Sequence, residues 1–191
     1  MSDIIIKNLS KSFGNKRVLE GFDLTVPDGG ICCIMGESGC GKSTLIKLIM
    51  GIYAPDGGEI AGVPGKIAAV FQEDRLCEDF SALTNVRITA ARGVTSARIS
   101  EEFRALGLDG NEKTPARQLS GGMRRRVALI RAFMADAPLI ILDEPFTGLD
   151  PDNRALAIDY VRARRAGKTI ILVTHDASDA DALVAEQVVR M

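Results

Sequence analysis

The chain has 191 residues, of which 46% are hydrophobic, so it is long enough to bury the core of one domain and short for two. Its 24 basic and 25 acidic residues nearly cancel, so its charge gives no support for nucleic acid or an anionic membrane as a partner. The N-terminus lacks the basic and apolar segments of a signal peptide, and no uninterrupted apolar run approaches the ~18 residues of a membrane helix. We therefore expect a soluble cytoplasmic protein.

The four cysteines lie at positions 32, 33, 40 and 77, and this spacing matches neither a metal site nor a disulfide framework. We expect Cys32 and Cys33 to be core residues of a strand. Cys40 lies in a glycine-rich loop, where two interpretations stay open. Its side chain either fills the loop as a small residue or is a thiolate made reactive by a cationic loop.

Two β-strands joined by a hairpin are predicted at the N-terminus. Residues 4–8 form the first strand, Gly14 and Asn15 the tight turn, and residues 18–26 a second strand in which apolar and polar residues alternate. Residues 27–30, Pro-Asp-Gly-Gly, form a turn before the next strand.

The sequence GESGCGKST, residues 36–44, lies between an apolar run and a segment with the apolar spacing of a helix. This order predicts a strand, a glycine loop and a helix. Gly36, Gly39 and Gly41 permit backbone angles that let successive N–H groups surround one anion at the N-terminus of the helix. The predicted ligand is a triphosphate.

Several residues of this loop have predicted roles toward a nucleotide. The Lys42 ammonium would lie against the β and γ phosphates, and the Ser43 hydroxyl would coordinate one Mg²⁺. Thr44 either caps the helix or contacts the α phosphate. Phe13, at the preceding hairpin, either packs against protein or stacks on adenine. The candidate nucleotide-binding residues of the loop are Gly36, Glu37, Ser38, Gly39, Cys40, Gly41, Lys42, Ser43 and Thr44.

Beyond this helix, the turn at residues 55–58 leads into two short predicted strands, near residues 59–62 and 66–71. Gln72 closes the second strand, where an amide that faces a phosphate site can coordinate Mg²⁺ or a water. From about Thr84 to Leu108 the apolar spacing becomes helical. This pattern predicts a helical insertion between two α/β parts.

The segment Leu-Ser-Gly-Gly-Met, residues 119–123, precedes an arginine-rich helix that extends to about Ala135. Ser120 is a suitable N-cap, and Gly121 and Gly122 leave the first N–H groups of the helix open, so a second anion site is predicted. The run of arginines at positions 124–126 is typical of a solvated helix face.

Residues 139–142 form a predicted buried strand that delivers two carboxylates to its C-terminal end, where α/β sheets bind ligands. Asp143 can hold Mg²⁺, and Glu144, which points the other way along the strand, can polarise an attacking water. Asp150 closes a short loop, and Pro151 suits the first turn of a helix that extends to about Ala166.

Residues 168–174 are the last predicted core strand, and His175, the only histidine of the chain, follows it. A lone histidine is most often structural, but its position beside a predicted phosphate site favours a functional role. A short helix over residues 179–185 and a terminal strand at Val188 and Val189 complete the prediction.

Taken in this order, the motifs closely resemble the ATP-binding subunit of an ABC transporter, over essentially all 191 residues. The Leu-Ser-Gly-Gly element before an apolar-Asp-Glu segment is far more specific than a phosphate loop alone. The resemblance identifies residues 36–44 as the Walker A motif, Gln72 as the Q-loop residue, residues 119–123 as the signature motif, residues 139–144 as the Walker B motif, Asp150 as the D-loop residue and His175 as the switch histidine. It also favours adenine stacking for Phe13.

The resemblance implies an α/β fold, a P-loop NTPase with a RecA-like core, an N-terminal antiparallel β subdomain and an inserted α-helical subdomain. It implies one ABC ATPase domain over residues 1–191, with the β subdomain and nucleotide-binding core at about 1–74 and 118–191 and the helical subdomain at about 75–117. The implied activity is ATP hydrolysis with Mg²⁺.

The implied assembly is a head-to-tail pair around two ATP molecules, formed with a second copy of the chain or a paralogous ATPase subunit. The signature motif of each subunit would close over the γ phosphate held by the other. The implied partners are ATP, an integral membrane permease and, for an importer, an extracytoplasmic substrate-binding protein. The implied location is the inner face of the cell membrane, as a peripheral subunit.

Site roles follow from the same resemblance. Glu144, His175, Lys42 and Gln72 would be catalytic, and Ser43, Gln72 and Asp143 would hold the metal. Outside the phosphate loop, the residues implied to bind nucleotide are Phe13, Ser120, Gly121, Gly122 and Asp150. Met123 replaces the glutamine usual after Leu-Ser-Gly-Gly, so we expect altered ATP affinity without inactivity.

Residues 70–76, together with the signature segment, are similar to subunits of nitrate, sulfonate and taurine importers. The alternatives are an exporter or lipoprotein-release subunit, and a soluble ABC ATPase without a transport role. The chain has no coiled-coil insertion, no second cassette and no excess of basic residues, and this disfavours the soluble class.

Overall fold

The computed structural model describes residues 2–191 and contains two β-sheets with helices packed around them. The strands are β1 (Ile4–Phe13), β2 (Lys16–Val26), β3 (Ile31–Met35), β4 (Gly57–Ala61), β5 (Ile67–Val70), β6 (Leu139–Asp143), β7 (Thr169–Thr174) and β8 (Gln187–Arg190). The helices are α1 (Lys42–Ile49), α2 (Ala82–Arg87), α3 (Ser96–Ala105), α4 (Gly121–Met134), α5 (Pro151–Arg164) and α6 (Ala177–Ala182). The expected α/β class, with a parallel core sheet, an antiparallel N-terminal sheet and a helical insertion, is confirmed.

The core sheet is parallel and has the strand order β5-β6-β7-β3-β8. Its register pairs Met35 with Thr174 and Asp143 with Val173, so β3, β6 and β7 end at the same edge. All residues of β6 and β7 are buried, as expected for strands covered on both faces. The segments that follow these three strands are therefore brought together.

The antiparallel sheet has the strand order β2-β1-β4. The predicted first strand, residues 4–8, is too short, because β1 continues to Phe13. Asn8 has a φ of 48°, and the pairing with β2 shifts register between Ile6 and Leu9. This irregularity interrupts the alternation of apolar and polar residues, and the strand resumes beyond it.

The helical insertion that was predicted at about residues 84–108 consists of two helices. Helices α2 and α3 are separate, and Ser81 and Thr95 each accept a hydrogen bond that caps the next helix. Gly93, with a φ of 86°, lies in the connection. Ile88, the C-cap of α2, is exposed. Smaller differences concern β4, which begins at Gly57, and α6, which ends at Ala182.

The prediction of a solvated arginine face on α4 is wrong for two of the three residues. Arg124 is partly exposed, but Arg125 and Arg126 are buried. The Arg126 guanidinium donates to the carbonyls of Gly122 and Leu106, which ties α4 to the end of α3. Charge pattern alone does not reveal such internal acceptors.

Within residues 2–191, no helix combines the length and the apolar character needed to cross a membrane.

A buried ion-pair cluster joins the helical insertion to the core. Glu102 of α3 is fully buried, and its carboxylate contacts Arg164 of α5 and lies 2.6 Å from the Arg98 guanidinium. The Arg164 guanidinium also stacks on the Tyr160 ring, at 3.9 Å from the ring centroid. A buried carboxylate that loses one partner is costly, because its desolvation is no longer offset.

We therefore predict that Arg164→Met lowers the free energy of unfolding by about 2 kcal/mol, since Glu102 would keep Arg98 as its one cationic partner. Urea unfolding followed by far-UV circular dichroism measures the change. The matched control is Arg162→Met on the same helix, where the guanidinium is mostly exposed and lies 3.6 Å from Asp159. We expect the control to change stability by less than about 0.5 kcal/mol. Equal effects of the two variants would contradict the importance of the buried pair.

Candidate active site

A cleft of about 440 Å³ lies at the edge of the sheet where β3 and β6 end. Residues from the first hairpin, the phosphate loop, the segment after β5 and the end of β6 line it. They are Phe13, Lys16, Val18, Ser38, Gly39, Gly41, Lys42, Ser43, Thr44, Gln72, Asp143 and Glu144. The structure thus brings together most of the site residues predicted from the sequence.

The phosphate loop has the geometry that its glycines predict. Gly39 and Gly41 have φ values of 85° and 114°, which side-chain-bearing residues rarely adopt. A Cβ at Gly36 would lie 2.7 Å from the Cys40 sulfur, so that position has no room for a side chain. The Lys42 ammonium donates to the carbonyl of Gly36 at 2.6 Å and to that of Glu37 at 2.8 Å. These contacts hold the positive charge over the loop.

Thr44 does not cap the helix, so that alternative is wrong. The N-cap of α1 is Gly41, which offers no side chain, and Thr44 lies within the first turn. The remaining alternative, a contact with the α phosphate, stays a prediction, and Thr44 does line the cleft.

Phe13 lies at the mouth of the cleft and is 44% exposed. Tyr53 contacts it edge-on, with ring centroids 5.4 Å apart, and the Lys11 ammonium lies 5.6 Å from its centroid. The edge contact fixes the ring without covering both of its faces. This arrangement suits stacking on a flat aromatic ligand.

Asp143 and Glu144 are adjacent in sequence but differ in environment. Asp143 is 6% exposed, and burial, together with the charge of Glu144, raises the pKa of its carboxyl. Lys42 opposes this rise only in part. A divalent cation beside Asp143 would offset the excess negative charge, and the nearby Ser43 hydroxyl and Gln72 amide offer the oxygen ligands that Mg²⁺ prefers. The residues present therefore fit a magnesium ion bound with a phosphate.

The Glu144 carboxylate is held by two side chains. One oxygen lies 2.8 Å from His175 Nδ1, and the other accepts a hydrogen bond of 3.0 Å from the Thr147 hydroxyl. Its backbone N–H donates to the Val173 carbonyl, and its φ is 51°, a conformation uncommon for a residue with a side chain.

His175 is exposed, and its loop is anchored on both sides. The Thr174 hydroxyl donates to the Asp179 carboxylate at 2.7 Å and accepts from the Asp176 N–H at 3.1 Å. Arg154 of α5 contacts both Asp176 and Asp179. The hydrogen bond with Glu144, and next its charge, raise the pKa of His175.

Two of the four cysteines are buried, whereas Cys40 is partly exposed and Cys77 is exposed. Cys32 and Cys33 are buried in β3, as expected, and burial raises the pKa of each thiol to about 12. Cys40 is partly exposed, and its sulfur lies 3.8 Å from the Lys42 ammonium. Both interpretations of Cys40 stay predictions.

The signature and D-loop residues do not line the cleft of their own chain. Ser120 caps α4, as predicted, by accepting from the Met123 N–H at 3.2 Å, and a Cβ at Gly122 would lie 3.3 Å from the Leu149 side chain. Asp150 caps α5 by accepting from the Asn153 N–H at 3.0 Å. Ser120, Gly121 and Asp150 are exposed, so the second predicted anion site faces outward.

Sequence reasoning missed three residues of the site. Lys16 and Val18 line the cleft beside Phe13, and Thr147 holds Glu144. Lys16 directly follows the hairpin turn beside Phe13, and this position could have predicted that Lys16 lies near the nucleotide site. Nothing in the sequence around Thr147 marks its hydroxyl as a partner of the carboxylate.

The family model described as ABC transporter matches residues 19–147. The aliphatic sulfonates import ATP-binding protein SsuB of Rhodopseudomonas palustris is 41% identical over 191 residues, covering 94% of this chain and 68% of the relative. The protein of that name from Nocardia farcinica, numbered SsuB 1, is 39% identical and covers 93% of this chain and 73% of the relative.

Solved structures agree with the sequence relatives. A dimeric structure of the ATP-binding cassette MJ0796, in a post-hydrolysis state bound to ADP and Pi, superimposes with a TM-score of 0.86 and 28% identity. The match covers 98% of this chain and 94% of that one.

Because His175 is the only histidine, its titration can be followed alone. The Glu144 carboxylate favours the protonated ring, so the titration midpoint lies above that of histidine in a short peptide. We predict that Glu144→Gln lowers the midpoint, because the neutral amide no longer stabilises the imidazolium. Proton NMR of the imidazole across a pH series measures it. Asp159→Asn, at an exposed carboxylate on α5, is the control. Identical midpoints in both variants and the parent would contradict the ion pair.

Proposed function

We propose that this chain, which belongs to the ABC transporter family, is the ATP-hydrolysing subunit of an importer of small organic sulfonates. It binds ATP with Mg²⁺, hydrolyses ATP, and works as a head-to-tail pair that is coupled to a membrane permease. The observation that carries the substrate class is the identity of about 40% to two relatives named as sulfonate import subunits, over more than nine-tenths of this chain.

In the proposed mechanism, ATP enters the cleft with its adenine on Phe13 and its phosphates in the loop. The loop N–H groups and the Lys42 ammonium would neutralise the β and γ phosphates. Mg²⁺, when bound with the nucleotide, supplies further neutralisation of the phosphate charge. The Ser43 hydroxyl, the Gln72 amide and the Asp143 carboxylate would hold it.

Glu144 is the proposed general base or orienting group for the attacking water. Its contacts with Thr147 and His175 support this role, because they fix the carboxylate before the substrate arrives. His175 would contact the γ phosphate and keep Glu144 in place. A protonated His175 would also stabilise negative charge that develops on the phosphate.

The remaining donors are proposed to come from the second subunit. The N–H groups at Ser120, Gly121 and Gly122 are open at the start of α4, but they do not line the cleft of their own chain. In a head-to-tail pair they would face the γ phosphate of the partner, with Asp150 nearby. One chain alone would therefore be an incomplete enzyme.

We also propose the division of the chain and its location. Residues 1–74 and 118–191 would form the β subdomain and nucleotide-binding core, and residues 75–117 the helical subdomain. The protein would lie at the inner face of the cell membrane as a peripheral subunit. The exposed segment after Gln72 supports a peripheral contact with a permease, because the segment lies where the cleft meets the helical insertion and is open to a partner.

We predict that Glu144→Gln retains ATP binding, slows hydrolysis at least about 100-fold and accumulates as an ATP-bound dimer. The amide keeps the shape of the carboxylate but cannot accept a proton from water. Single-turnover hydrolysis and size-exclusion chromatography with light scattering measure the two effects. Lys42→Ala is the contrasting variant, since it should lose nucleotide affinity and remain monomeric. Normal turnover in Glu144→Gln would remove Glu144 from its role.

The importer assignment predicts that tagged Glu144→Gln protein copurifies with a multi-spanning permease from detergent-solubilised native membranes. Mass spectrometry identifies the partner. The wild-type complex, reconstituted in proteoliposomes with its binding protein, should then import labelled ethanesulfonate when ATP is supplied on the side of this subunit.

Nitrate and sulfate are the comparison substrates in the same vesicles. Import of nitrate without ethanesulfonate would overturn the sulfonate assignment and retain the importer. Copurification of soluble partners alone would overturn the transport role.

A further inference from the structure

Two arginines of α4 bind the backbone of the segment that carries Gln72. Arg125 donates through Nη1 to the Phe71 carbonyl and through Nη2 to the Gln72 carbonyl, both at 2.5 Å. Arg131 donates in the same manner to the carbonyls of Asp74 and Arg75, at 2.8 and 2.6 Å. Each guanidinium thus holds two carbonyl groups at once.

The environment of these arginines makes the contacts strong. Arg125 is 8% exposed, and its guanidinium also lies 3.2 Å from the Asp74 carboxylate. Hydrogen bonds from a charged donor are stronger than neutral ones, and a planar fork that binds two acceptors fixes orientation as well as distance. Lysine could not replace this geometry, because its ammonium is a single point of contact.

The segment has no regular structure of its own. Residues 71–76 lie outside every helix and strand, and Gln72 at their start is exposed at the cleft. Arg75 stacks on the Phe71 ring, at 4.0 Å from the centroid, which is a contact within the segment. Arg124 of α4 adds only an ion pair of 3.9 Å with Asp74, so the hydrogen bonds that tie residues 71–75 to α4 come from the guanidinium groups of Arg125 and Arg131.

We infer that Arg125 and Arg131 are positioning residues that fasten residues 71–75 to the signature helix, so that the Gln72 amide and the Ser120 end of α4 move as one unit. This inference rests on the proposed role of Gln72 at the phosphates. Gln72 faces the nucleotide of its own chain, whereas the start of α4 faces the nucleotide of the partner. The two arginines then form a mechanical link between the two ATP sites of the pair.

The link has a kinetic consequence. Loss of the guanidinium groups would let Gln72 leave its position, while Phe13, the phosphate loop and Lys42 would continue to bind ATP. The turnover number should fall and the Michaelis constant should stay nearly unchanged. A displacement of about 1 Å at a positioning group is enough to cost between tenfold and a hundredfold in rate.

The test is a double-mutant cycle on the whole protein. Arg125→Met and Arg131→Met keep an unbranched apolar stem and remove the donors. We expect each to lower kcat about tenfold and to change KM for ATP by less than about twofold. In a Gln72→Ala background, neither should lower kcat further, because both act through Gln72. Arg104→Met is the control, since that guanidinium is largely exposed and lies 3.7 Å from its nearest carboxylate, Asp109.

The outcomes separate this inference from the proposed function. Multiplicative losses in the double variants would overturn the inference and leave the role of Gln72 intact. An unimpaired Gln72→Ala variant would overturn the role of Gln72 and the inference with it, without affecting the Glu144→Gln result. Thermal unfolding identifies any variant that does not fold. For that case Arg125→Lys and Arg131→Lys serve instead, with an expected loss of about threefold, and full kcat in both would overturn the inference.

Discussion

The parallel register of β3, β6 and β7 is the constraint on which the site depends. These neighbouring strands end at one edge of the sheet. The edge therefore brings together the phosphate loop after β3, the carboxylates at the end of β6 and the histidine after β7, and no long loop is needed. Both faces of β6 and β7 are buried, so the polar residues that end these strands mark the register more clearly than the apolar ones. A slip of one residue would shift Asp143 and Glu144 by about 3.3 Å along the strand and displace the site with them.

Electrostatics then divides the work between two adjacent carboxylates. Burial and the charge of Glu144 raise the pKa of Asp143, and a bound cation would stabilise the ionised carboxylate of Asp143. The Glu144 carboxylate is instead held by the Thr147 hydroxyl and the His175 imidazole. Neighbours with the same chemistry can therefore take different roles, one as a metal ligand and one toward water.

The sequence predicts what is local and misses what is distant. The strand, glycine loop and helix around Lys42, and the cap at Ser120, follow from residue types within a few positions of one another. The length of β1 was missed because the irregularity at Asn8 breaks the alternating pattern. Arg125 was placed on a solvated face because its acceptors are backbone carbonyls more than fifty positions away, which leave no mark in the side-chain pattern.

Helix α4 is held by contacts with residues that are distant in the sequence. Its start leaves Ser120 and Gly121 exposed, and most of its anchoring comes from the next turns. Arg126 binds the Gly122 carbonyl and the end of α3, and Arg125 holds the segment of Gln72. A rigid helix with a bare tip transmits displacement at either end to the other, because buried contacts of this kind shift as a unit and do not stretch. The arginines that the charge pattern assigned to solvent are thus the means by which the exposed tip and the cleft share one rigid body.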